Sequence, residues 1–204
     1  MQKTKLGNST LKVSRLAYGC WRIAGTWDRS HVKPGGRASG IQSLIDAHES
    51  GYTFFDLADI YCDGVSEEIF GEARRKIKGL RQSAVVATKC GIRPPNTPHP
   101  GAPYRYDFSA DYIVRSCDAS LQRLGMDCID IYQLHRPDYL MEPAEVAKAF
   151  TKLKKAGKVK HFGVSNFRPS QVALLQSALK QPLLVNQVEI SLSQLESLED
   201  GILD

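Results

Sequence analysis

Four residues of this chain, far apart in sequence, carry groups that together could move a proton onto a substrate: Asp56, Tyr61, Lys89 and His135. Asp56 and Tyr61 are five positions apart, with Leu57 and Ala58 continuing an apolar run before the chain turns polar. A phenol ordinarily titrates near ~10, too high for easy proton donation at neutral pH. A neighbouring ammonium favours the phenolate and lowers that value, and a carboxylate can hold the ammonium in place. On this reading Lys89 tunes Tyr61, Asp56 pairs with Lys89, and His135 adds an imidazole to the same pocket.

Such a cluster needs a scaffold that gathers it. Short β-rich runs recur along the chain at 15–21, 53–58, 84–90, 129–135, 159–164 and 183–190. Between them lie apolar residues at helical spacing: Ile41, Leu44, Ile45 and His48; Ile69, Ala73 and Ile77; Ile113, Cys117, Leu121 and Leu124; Val146, Phe150 and Leu153; Val172, Leu175 and Leu179. Gly51, Gly79, Gly125 and Gly157 follow helical segments, and Pro143 and Pro169 stand near helix starts. Strands joined by crossover helices run parallel, which predicts an α/β fold, doubly wound or barrel. No G-x-G occurs, so the dinucleotide fingerprint of the doubly wound class is missing. Nearly every strand run ends in reactive polar groups, as the carboxyl end of a TIM-type (β/α)8 barrel requires. The pattern therefore predicts about six βα units of such a barrel. A hairpin turned at Gly7-Asn8 is expected to cap its amino end.

Composition narrows the function. The 204 residues are 42% hydrophobic and 24% charged, which fits a globular chain. The net charge of +5 is spread along the sequence, without the clustered basic stripe of a nucleic-acid binder. No apolar run reaches the ~18 residues of a membrane helix. Five cysteines without a C-x-x-C pair read as reduced thiols, so a cytoplasmic protein is expected. The histidines lack metal-clip spacing, and no metal site is predicted. The loop 92–108 carries five prolines together with Tyr104, Tyr106 and Phe108, which suggests a semi-stiff lid over an apolar pocket.

Five segments resemble the aldo-keto reductase superfamily, in that family's order: Phe55-Asp56-Leu57-Ala58-Asp59-Ile60-Tyr61, Thr88-Lys89, Leu134-His135-Arg136-Pro137, Gly163-Val164-Ser165-Asn166-Phe167 and Asn186-Gln187-Val188-Glu189. The stretch 134–192 is especially close to an uncharacterised bacterial oxidoreductase branch. The resemblance implies hydride transfer from NADPH to an aldehyde or ketone. It makes Tyr61 the general acid, tuned by Lys89, and His135 the group that orients the carbonyl. It gives Ser165, Asn166 and Gln187 to the nicotinamide carboxamide, and Gly19, Cys20 and Trp21 to the cofactor or the pocket wall. The family often has threonine or serine at the position of Leu57 and glycine at that of Cys62.

Eight strands and typically ~250 residues complete such a barrel. Residues 1–204 are therefore expected to form an aldo-keto reductase domain incomplete at its C-terminus, a monomer that binds NADPH weakly and turns over little. Two alternatives remain at this point. One is a cofactor-sensing regulatory subunit on the same barrel; the other is an aldolase forming a Schiff base on Lys89.

Overall fold

Val85–Cys90 and Ile129–Leu134 are buried along their whole length, as strands covered on both faces must be, and they form the centre of the sheet in a computed structural model that describes residues 1–203. In chain order the elements are β1 (Lys3–Lys5), β2 (Lys12–Ser14), β3 (Tyr18–Gly19), a 3-10 turn (Arg29–His31), α1 (Pro34–Glu49), β4 (Phe54–Asp56), α2 (Val65–Lys76), α3 (Leu80–Ser83), β5 (Val85–Cys90), β6 (Ile92–Arg93), β7 (Arg105–Tyr106), α4 (Ala110–Leu124), β8 (Ile129–Leu134), α5 (Pro143–Lys155), β9 (Val159–Ser165), α6 (Pro169–Ala178), β10 (Val185–Gln187) and α7 (Glu196–Glu199). Six strands form one parallel sheet in the order β3-β4-β5-β8-β9-β10, which is six strands of a TIM-type barrel with helices on the outer face.

The expected helix faces are the buried ones. Ile113, Cys117, Leu121 and Leu124 of α4, and Val146, Phe150 and Leu153 of α5, join the main core between helices and sheet. Ser109 caps α4 by accepting from the Tyr112 N–H, and Pro143 and Pro169 occupy the first turns of α5 and α6. A smaller cluster of Val13, Val85, Ala87 and Ile131 fills the barrel interior. Leu6 and Leu11 of the β1–β2 hairpin pack on it, so the hairpin does close the amino end. At that end buried Asp130 accepts from the Val86 N–H and pairs with Arg81 and Lys160, a structural contact away from the mouth.

One expectation changes, and two features go beyond the sequence pattern. The edge strands are shorter than their apolar runs: β3 and β10 pair on one side only, so their ends leave the ladder. Helix α1 begins at Pro34, seven residues before its apolar face, running through Gly35, Gly36 and Gly40. Gly40 is needed there, because a Cβ would lie 2.2 Å from the Ile23 carbonyl oxygen. Within the 92–108 loop, β6 and β7 pair antiparallel and form a short ribbon under its proline-rich tip. Among the described residues no helix is long and apolar enough to cross a membrane.

Candidate active site

Parallel pairing in register puts the carboxyl ends of β4, β5, β8, β9 and β10 side by side. Asp56 closes β4, Lys89 is the penultimate residue of β5, and His135 follows β8 directly. Tyr61 comes from the turn after β4. That turn is tied to β5 by the Leu57 N–H on the Ala87 carbonyl and the Asp59 N–H on the Lys89 carbonyl.

The four predicted residues meet. Lys89 is buried, and its ammonium donates to Asp56 Oδ1 at 2.7 Å, to the Leu57 carbonyl at 2.8 Å and to Tyr61 OH at 3.2 Å. The His135 ring stands edge-on to the Tyr61 ring, with centroids 5.7 Å apart. Tyr61, Lys89 and His135 line one hollow of about 260 Å³ with Arg136, Ser165, Asn166, Gln187, Val188 and Glu189.

The electrostatics revise one expectation. Burial is the largest influence on Tyr61 and holds its phenol above the ordinary value; Lys89 pulls downward, but less strongly, and Asp56 pushes up. How far burial disfavours a phenolate depends on packing that no local motif encodes. The phenol therefore keeps its proton in this site, as a donor must. His135 is pushed down to about 3 by burial, with Lys89 and Arg136 adding to the shift, so the imidazole is neutral. Its Nδ1 is buried without a hydrogen-bond partner among the described residues.

Ser165, Asn166 and Gln187 sit at the rim as one hydrogen-bonded set. Ser165 Oγ donates to the Gln187 carbonyl at 2.9 Å, and Asn166 Nδ2 donates to Ser165 Oγ at 3.0 Å. Asn166 Oδ1 accepts from the Glu189 N–H, with the Asn166 backbone in the left-handed region. Gln187 Nε2 reaches across to Asp56 Oδ2 at 3.3 Å, which joins this set to the Lys89 pair. The two amides each retain a second N–H and a second lone pair, the groups a carboxamide needs. These residues fit a nicotinamide amide beside Tyr61.

Gly19, Cys20 and Trp21 do not line this hollow. Gly19 borders a separate cleft with Tyr18, Arg22 and Ser43. Cys20 is buried behind Asp56, its N–H donating to the Asp56 carbonyl at 2.9 Å, and burial pushes its thiol well up. Trp21 is half exposed, edge-on to Trp27 at 4.8 Å, with the Arg22 guanidinium 5.2 Å from its ring. The proline-rich ribbon lines another cavity, of about 580 Å³, with Trp27, Asp59 and Tyr112. Gln133 was not anticipated. It is buried and donates to the Val164 carbonyl at 3.2 Å, beside the Gln187 side chain. A polar residue one position before the end of a strand rich in Ile and Leu, two residues ahead of His135, was the available signal.

A parallel barrel sheet with an Asp-Tyr-Lys-His cluster at its carboxyl end defines a class of barrel proteins, and comparison with known proteins identifies the family. The family model "Aldo/keto reductase family" matches residues 15–200. The chain belongs to that family. It is 39% identical over 211 residues to "Uncharacterized oxidoreductase YcsN" of Bacillus subtilis, covering 100% of this chain and 66% of that protein. It is 40% identical over 203 residues to "6-dehydroglucose reductase" of Agrobacterium fabrum, covering 98% and 66%. Its fold matches the glycerol dehydrogenase AKR11B4 from Gluconobacter oxydans with a TM-score of 0.84 at 29% identity, covering 97% of this chain and 58% of that one. The chain thus spans just under two thirds of the length of the curated relatives it matches.

Proposed function

We propose that the protein is an NADPH-dependent oxidoreductase that reduces aldehyde or ketone carbonyls to alcohols. The observation that carries this reading is the Tyr61 hydroxyl held 3.2 Å from the buried Lys89 ammonium, in one hollow with a neutral imidazole. The hydride for such a reduction comes from a reduced nicotinamide, for which Ser165, Asn166 and Gln187 supply amide-binding groups. Negative charge grows on the carbonyl oxygen as hydride arrives. Tyr61 OH donates its proton to that oxygen, and Lys89 stabilises the phenolate left behind. Asp56 fixes the ammonium, and the single N–H of the neutral His135 imidazole orients the carbonyl by donating to the same oxygen.

Two alternatives are less well supported. Lys89 commits three N–H bonds to Asp56, Leu57 and Tyr61, which leaves no lone pair for a Schiff base. A purely cofactor-sensing subunit has no use for a proton donor beside a buried cation, a costly arrangement to maintain. Of Gly19, Cys20 and Trp21, Cys20 keeps a supporting role here, because its N–H braces the Asp56 carbonyl. The Agrobacterium relative's name makes a sugar aldehyde the first substrate to try. Loss of NADPH absorbance with a panel of aldehydes and ketones, run on the full-length protein, tests the proposal. Tight cofactor binding without oxidation by any carbonyl favours the sensing subunit instead.

A further inference from the structure

Tyr61 is followed by three successive residues in the left-handed region: Cys62 at φ 49°, Asp63 at φ 50° and Gly64 at φ 82°. Only the glycine takes this conformation freely, so a turn with two side-chain-bearing residues there needs support from outside. Arg123, from the last turn of α4, supplies it. A Cβ on Gly64 would lie 2.6 Å from Arg123 Cδ and 2.7 Å from Nε, so the arginine lies directly on the turn's backbone. Arg123 Nε donates to Glu67 Oε2 at 2.6 Å. Glu67 is fully buried, and its other oxygen accepts from Thr88 Oγ1 at 2.6 Å. Thr88 precedes Lys89 on β5. A close backbone crossing fixes the geometry, since a Cβ on Gly71 of α2 would lie 2.5 Å from the Arg123 carbonyl oxygen.

None of these groups lines the hollow of the four site residues, yet together they join the turn that carries Tyr61 to the strand that carries Lys89. We propose that Arg123 is a positioning residue: seated on the left-handed turn 62–64 and anchored by Glu67, it holds the Tyr61 hydroxyl against Lys89. The consequence for turnover rests on the carbonyl-reduction reading above; the positional claim does not. A clamp of this kind changes where the phenol stands without changing what the substrate touches.

The test is an NMR measurement on protein carrying ring-labelled tyrosine, with Tyr61→Phe assigning the Tyr61 signal. Arg123→Met is expected to move that signal toward the position of free tyrosine and to leave the packed Tyr18–Tyr52 pair unchanged. Turnover is expected to fall about 10²-fold, the scale of a small misplacement of a reacting group, with KM for the carbonyl within about twofold. Adding Asp63→Gly relieves one left-handed residue, and about tenfold is expected to return. An unmoved Tyr61 signal in folded Arg123→Met overturns the proposal, and so does the absence of rescue. Where Arg123→Met fails to fold, Arg123→Lys keeps a cation on Glu67 but not the guanidinium over Gly64; a displaced Tyr61 signal then supports the clamp, and an unmoved one refutes it. Absence of turnover in the parent counts against the reduction reading alone, while the tyrosine signal still decides the clamp.

Discussion

Asp56→Asn and Lys89→Met each remove one end of the same ion pair, and the structure predicts unequal costs. The Lys89 side chain is only 2% exposed, against 14% for Asp56. Removing the carboxylate's charge leaves a buried ammonium with neutral oxygens only, those of Leu57, Tyr61 and the new amide. Breaking a buried pair in this way costs about 3 to 5 kcal/mol, because the surviving charge is uncompensated. Removing the lysine instead leaves Asp56 at the mouth, where water and the Gln187 amide at 3.3 Å still reach it. The thioether of Met fills the apolar length of the lysine channel, so a cost of about 1 to 2 kcal/mol is expected for Lys89→Met. For a domain of this size each kcal/mol moves Tm by roughly 2 to 4 °C, so Asp56→Asn is expected to melt about 10 °C below the parent and clearly below Lys89→Met. Thermal and urea unfolding of the two variants measure this directly. Equal losses, or a larger loss for Lys89→Met, would refute the view that the buried cation is the costly member of the pair.

Other outcomes follow from the same geometry. His135 titrates near 3 in the folded site and near ~6.5 in an unfolded chain, so between those values the unfolded state binds a proton that the folded state refuses. Stability is therefore expected to fall as pH drops through that window, by up to ~1.4 kcal/mol per pH unit, and His135→Gln is expected to flatten this acid limb in urea midpoints. Gly163→Ala places a Cβ 2.5 Å from Val185 Cγ2 and 2.7 Å from the Val185 carbonyl oxygen, forcing β10 off β9. It is expected to lose about 1 to 3 kcal/mol and to weaken cofactor binding through Gln187, as cofactor titration would show.

Much of this is legible in the amino-acid sequence. The buried strands β5 and β8 announced themselves as the β-rich runs 84–90 and 129–135, and the helix faces by their spacing. With parallel connections assumed, Asp56, Lys89 and His135 had to arrive at one end of the sheet. Tyr61 was legible through its motif, but its protonation was not, because burial outweighs the lysine that the motif reveals. The edge strands were overestimated because a period-two pattern does not tell how many neighbours a strand has. The resemblance gave Trp21 to the cofactor or the pocket wall, and in the structure its ring stands against Trp27 and Arg22. Glu67 and Arg123 are separated by more than fifty residues and belong to no recognisable spacing, so only the α2–α4 crossing brings them together. Cys62 gains a physical reading from its backbone: it stands in the left-handed region, where glycine is the easy choice.

The central claim is that Tyr61 delivers the proton in carbonyl reduction. Its most direct test compares the full-length parent with Tyr61→Phe, which keeps the ring and removes the proton, by following NADPH oxidation under saturating aldehyde together with cofactor affinity. Cofactor affinity is expected to be unchanged and turnover lower by roughly 10² to 10⁴, the usual contribution of a general acid. Equal turnover in the two proteins would contradict it.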